Sequence, residues 1–179
     1  MRRRTAHPIR NDGGGETLAN QGDKAVRLMR TWFNHPRARF FALLFLLLLL
    51  RVPFYFTHHV QEDAYISLRC AGNLVETGVY GFNTGEKVSS STSHLYVFLA
   101  AIVRLLVGHS AFLPAMLLLN TLLFLAGTFF IARVLLQDEK QQLFLWVLIS
   151  SLPVSLLISY SGMETALLVF LLGSALYLV

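Results

Sequence analysis

The chain has 179 residues, 55% of them hydrophobic and only 14% charged, with a mean hydropathy of +0.57. Soluble domains carry about 25% charged residues, so this composition excludes an ordinary soluble protein, and its continuous apolar runs exclude the period-two alternation of a β-barrel. The formal charge of +5 is gathered ahead of the first apolar run. There Arg2, Arg3, Arg4, Arg10, Lys24, Arg27, Arg30, Arg37 and Arg39 are opposed only by Asp12, Glu16 and Asp23. Basic residues beside a first span stay in the cytoplasm, so the N-terminus reads as inside. That rule accounts for the arginines without a nucleic-acid partner. The basic region is too long for a cleaved signal peptide, and no small-residue cleavage site follows the run. The single Cys70 reads as a small apolar residue on a helix.

Residues 1–38 therefore read as a basic cytoplasmic tail. Its first part is polar, contains Gly13-Gly14-Gly15 and has no pattern that would bury a core. Residues 23–34 can form a short amphipathic helix on the inner membrane surface, with Arg27 and Arg30 near anionic headgroups. Residues 39–179 read as a transmembrane domain. Its first span runs from Phe40 to Phe56, with Arg51 and Pro53 in the outer third. Arg51 has two readings: it snorkels to the interface, or it faces a cavity and holds a phosphate.

Residues 58–92 form the first outside, periplasmic loop. Within it, residues 63–76 have a helical pattern, with Ile66, Cys70 and Leu74 on one stripe and Gly78 as the stop. Such a helix lies along the membrane. Turn-formers follow at Gly81, Asn83 and Gly85. The apolar stretch 95–108 falls short of the roughly 20 residues a crossing needs and contains Arg104. Residues 112–134 and 142–160 are long enough, the second broken by Pro153. Thr165–Val179 begins a further span that no polar flank closes, so the chain reads as the front part of a longer protein, inactive alone. The expected fold is all-α and polytopic, with about four transmembrane helices plus juxtamembrane helices in the first outside loop.

Two places carry carboxylates next to apolar runs, where ions persist only if water, a metal or a ligand compensates them. One is Glu62-Asp63, the other Glu164 in Ser161-Gly162-Met163-Glu164-Thr165. They can meet only if an even number of crossings separates them. That holds if 112–134 and 142–160 cross while 95–108 is juxtamembrane or re-entrant. The same count puts Arg133 and Lys140 inside, as the charge rule requires. A purely structural role for the first pair is helix capping. The outside loop also holds His58 and His59, and His94 lies just before the 95–108 stretch, with no metal-binding spacing among the three. No phosphate loop, nucleophile elbow or CxxC appears.

The order of parts resembles a known family. Glu-Asp-Ala-Tyr-Ile-Ser-x-Arg at 62–69 is followed by Gly-Phe-Asn-x-Gly-Glu-x-Val at 81–88, Thr-Ser-x-Leu-Tyr at 92–96 and Ser-Gly-Met-Glu-Thr at 161–165. Together with the basic start, this resembles the GT-C superfamily of bacterial integral membrane glycosyltransferases, nearest to its arabinofuranosyltransferase-like and mannosyltransferase-like members. The likeness covers residues 40–179. It implies a GT-C-like fold in the bacterial inner membrane. It also implies a polyprenyl-phosphate-linked sugar donor in the lipid, and a glycan, lipid or protein acceptor on the periplasmic face. It implies Asp63 as the base and Glu164 as a second acid, with Glu62, Tyr65, Arg69, Arg51 and His94 as substrate contacts. A divalent cation, Mg²⁺ or Mn²⁺, is the one cofactor it leaves room for, with Asp63 and Glu164 as candidate ligands. The chain departs from the family at Ser89, where relatives often carry Glu, and at His94, where they often carry Pro. Glycosyl transfer with inversion needs a base at the acceptor hydroxyl and charge stabilisation of the phosphate that leaves, which suits the same residues. Set against the enzyme are a transporter or channel subunit, with Arg51 and Glu164 lining a path, and a membrane scaffold in which the loop only caps a helix.

Overall fold

The computed structural model describes residues 23–24, 35–57, 60–83, 91 and 93–179. Of the amphipathic helix expected at 23–34, only Asp23 and Lys24 are described, both helical. The rest of it lies outside the described residues, as do His58, His59 and Ser89. The chain divides into two compact units, Met1–Ala42 and Leu43–Val179, and the boundary falls inside the first labelled helix.

That helix, α1 (Pro36–Leu49), opens on a proline, whose fixed φ and missing N–H suit a first helical position. After Arg37 and Arg39 in its first turn it is apolar on all sides, the pattern of a segment with no aqueous face. A short helix, α2 (Val52–Thr57), follows directly. Pro53 at its second position has no N–H to continue the ladder, which explains the break at Leu50–Arg51. Helix α3 (Glu62–Thr77) ends at Gly78, whose φ of 72° is the left-handed closure a glycine makes without strain and whose N–H caps Leu74 O. This matches the stop read from the sequence. Cys70 and Ala71 on its inner stripe are fully buried.

The longest element, α4 (His94–Leu135), is two helices joined at Gly108, which has φ 74° and ψ −173°, a region open essentially to glycine alone. The chain folds back there. Asn120 Nδ2 donates to the Tyr96 hydroxyl at 2.7 Å, whereas 24 residues of straight helix would hold them about 36 Å apart. Arg104 lies over the Phe112 ring at 5.2 Å, the same antiparallel register. Residues 94–107 are therefore an arm laid against the start of 109–135, and the second arm, about 40 Å long at 1.5 Å per residue, has the length of a crossing.

Helix α5 (Glu139–Ser151) starts on Asp138, whose carboxylate accepts from the N–H groups of Lys140 and Gln141. Helix α6 (Pro153–Tyr160) begins on Pro153 and is bent 72° from α5. Helix α7 (Thr165–Leu178) packs more extensively on α4 than any other helix does. A Cβ at Gly173 would lie 2.4 Å from Gly127 O, so the two backbones touch where only glycine fits. Among the described residues, two helices are long and apolar enough to cross a membrane, Pro36–Phe56 and His94–Leu135, and the bent α5–α6 pair makes three if counted as one span. The expected fourth, α7, is a shorter apolar helix of 14 residues that runs to the last residue but one of the sequence.

Arg51 departs from both of its sequence readings. It is fully buried, with Nε donating to Ser159 Oγ at 3.0 Å, Nη1 to Leu47 O at 2.8 Å and Nη2 to Ser150 O at 2.8 Å. Three of its five donors tie α1, α5 and α6 together. A guanidinium is retained in such a place when its hydrogen bonds are made internally.

Candidate functional site

Two loops that are distant in sequence meet at one end of the bundle. The Gln61 N–H donates to Ser161 O at 3.2 Å, joining the start of α3 to the corner between α6 and α7. Gly162 turns that corner with φ 76°. Its carbonyl accepts from the Tyr96 hydroxyl at 2.5 Å, and the same hydroxyl accepts from Asn120. Tyr96 and Asn120 are both completely buried, so this chain of hydrogen bonds works in a low dielectric where each bond counts for more. It bolts the corner to both arms of α4. Below it, Val60, Ala64, Leu117 and Tyr160 form a small apolar cluster, with Tyr55 edge-on to Tyr160 at 5.3 Å.

On this frame Glu62 and Asp63 occupy the first two helical positions of α3, and both are exposed. The N-cap is Gln61, and no side chain makes a cap hydrogen bond there. The capping role considered for the carboxylates is thus reduced to their charge beside the helix dipole. Glu164 stands just before α7, partly exposed, also without a side-chain cap bond. The Gln61–Ser161 bond joins the two loops that carry Asp63 and Glu164. A cleft of about 500 Å³ opens beside it, lined by Phe54, Gln61, Tyr160, Ser161, Met163 and Thr165 among others; neither carboxylate lines it.

The other sequence candidates lie elsewhere. Tyr65 and Arg69 line a second cavity, of about 430 Å³, on the outward stripe of α3. The Arg69 Nε donates to Phe82 O at 3.0 Å, and its guanidinium lies over the Phe82 ring at 4.6 Å. His94 is stacked on Tyr80, with ring centroids 5.4 Å apart and planes 4° from parallel. Arg51 is within the bundle, as described above. For a cation, Asp63 and Glu164 offer hard oxygen donors, but among the described residues no three His, Cys, Asp or Glu side chains stand together.

Reading the sequence alone missed two groups. One is the Asn120–Tyr96–Gly162 bolt, signalled only by a lone Asn in an apolar run, an unusual residue for lipid. The other is the contact of Arg104 with Glu76 and His109, which depends on the fold-back at Gly108. Comparisons with protein-family models, curated proteins and solved structures find no match to this chain.

Proposed function

We propose that this chain is a membrane glycosyltransferase of the GT-C kind. In this reading it moves a sugar with inversion from a polyprenyl-phosphate donor to an acceptor on the outer face, and the corner between α3 and α7 is its catalytic end. The observation that supports the reading is the Gln61–Ser161 hydrogen bond, which joins the two carboxylate-bearing loops across about 100 residues of chain. In the proposed reaction Asp63 takes the proton of the acceptor hydroxyl as its oxygen attacks the anomeric carbon. The bond from that carbon to the phosphate oxygen breaks, and the phosphate leaves with the electron pair. Glu164, across the corner, orients the acceptor or a cation. Asp63 is exposed and free of cap bonds, as a base open to an incoming hydroxyl must be.

The test is single-turnover transfer in membranes containing the full-length protein, with polyprenyl-phosphate mannose and polyprenyl-phosphate arabinose as donors. A positioned base contributes about 10²–10⁴ in rate, so Asp63→Asn should lose that factor at unchanged expression, and Glu62→Gln much less. Asn caps a helix about as well as Asp. A variant Asp63→Asn as active as the unaltered protein would return this stretch to a structural role.

A further inference from the structure

The second cavity is chemically unlike the corner. Tyr65, Arg69, Asn73 and Glu76 sit at helical spacing along one stripe of α3, away from the face that carries Asp63. Opposite them the fold-back presents Arg104, 8% exposed, in an ion pair with Glu76. The Arg104 guanidinium also contacts His109 Nδ1, and that nitrogen lies 4.0 Å from Glu76. The walls between these groups are apolar and aromatic, including Phe82 and Phe112.

The charges do not balance. Glu76 answers Arg104, as a nearly buried guanidinium requires. Arg69 has no carboxylate partner among the described residues. Its Nε is held by Phe82 O and its plane by the Phe82 ring, so the fork is oriented, while its terminal N–H groups meet no acceptor among the described residues. Asn73 fixes the same turn by donating to Gly81 O and Phe82 O at 2.9 and 2.8 Å. A pre-oriented guanidinium with free terminal donors in an apolar-walled cavity matches a phosphate, whose oxygens a guanidinium fork meets in pairs. The residues after Arg104, Leu105 and Leu106, are 69% and 79% exposed, which offers apolar cover for chains attached to that phosphate.

We propose that this cavity is a phosphate-binding site, with Arg69 as its primary contact and the Arg104–Glu76 pair as its floor. Its ligand is the phosphate of an anionic lipid headgroup or a free phosphate, and the two sources separate by experiment. The site stands independently of the transferase reading, because its test involves no sugar transfer.

Binding of dioctanoyl phosphatidylglycerol to the detergent-purified protein is measured by native mass spectrometry, beside dioctanoyl phosphatidylcholine and inorganic phosphate. Arg69→Gln should weaken phosphatidylglycerol binding about tenfold or more, while Gln can still donate to Phe82 O. Arg69→Lys keeps the charge and should lose less. Size-exclusion profiles check that both variants are folded. Binding of the lipid that phosphate does not displace identifies a headgroup; displacement by phosphate, with phosphate binding alone, identifies the free anion. Either result upholds the site. Equal binding by Arg69→Gln and the unaltered protein, or of phosphatidylcholine and phosphatidylglycerol, overturns it.

Discussion

At the scale of single residues, the corner depends on a backbone that only one residue accepts at low cost. Gly162 has a positive φ, and a Cβ there would meet Ala64 Cβ and Val60 Cγ1, each at 3.2 Å. Left-handed backbone costs an ordinary residue about 1–2 kcal/mol, and the tight contacts add to it. Gly162→Ala should therefore lower the unfolding midpoint in detergent by about 2–8 °C. If the proposed function holds, it should also slow sugar transfer by shifting the α3 start away from Ser161. Gly72 is the counter-case. It lies inside α3 with nothing within 4 Å of an added Cβ, so Gly72→Ala should hold or raise the midpoint, because Ala favours a helix interior by about 1 kcal/mol. Differential scanning fluorimetry on the two variants decides the matter, and equal shifts of the same sign would contradict the account. Arg51 teaches a related lesson. An arginine near the end of an apolar run looked like an interface or ligand residue, but its partners Ser150 and Ser159 lie about 100 positions away in sequence, beyond any local pattern.

At the scale of elements, the decisive feature is the turn at Gly108. The sequence sets 95–108 apart from 112–134 by length; the backbone at Gly108 shows where the two part and folds one onto the other. Spin labels at the exposed positions Phe98 and Leu118 distinguish the alternatives. A straight helix separates them by about 30 Å; packed arms hold them within about 10–20 Å, given the usual spacing of helix axes and the length of the labels. We expect the short distance. Gly108→Ala, at a cost of about 1–3 kcal/mol for that backbone region, should move part of the population to the long one. A distribution unchanged by the substitution would mean that packing of Tyr96, Ala100 and Met116, rather than the glycine, enforces the turn.

For the whole molecule, the fold-back determines parity. With 94–107 folded against 109–135, a crossing by the second arm and one by α5–α6 would return the chain to the side of Asp63, where the Gln61–Ser161 bond needs it to be. By the charge rule for the basic tail, we propose that this side is outside. Ser110 and Lys140, both exposed, stand near opposite ends of the second arm. Introduced singly as cysteines in intact cells, Ser110→Cys should react with an impermeant thiol reagent and Lys140→Cys should be protected. Cys70 is completely buried and should stay silent. Reaction at Lys140→Cys with protection at Ser110→Cys would reverse the orientation and move the proposed site to the cytoplasmic face.

Much of the all-helical membrane character was legible in sequence, because apolar run length and charge placement are local properties that the bilayer reads directly. The extent of α3 was legible too: a helical stripe ending at glycine needs no tertiary partner to be recognised. The carboxylates at 62–63 and 164 stood out because ions beside apolar runs are costly. What joins them did not stand out. The Gln61–Ser161 bond, the Tyr96–Asn120 bolt and the internal role of Arg51 all pair residues far apart in the chain, and hydropathy carries no information about such pairs. The division of 95–108 from 112–134 was legible in the shortness of the first stretch and its Arg104; that the two lie antiparallel was decided in three dimensions, by the φ of 74° at Gly108. The paired arms set Arg104 against Glu76 beside Arg69. That juxtaposition exists only in the tertiary structure, because the hydrogen bonds that favour it form only after the chain has reversed.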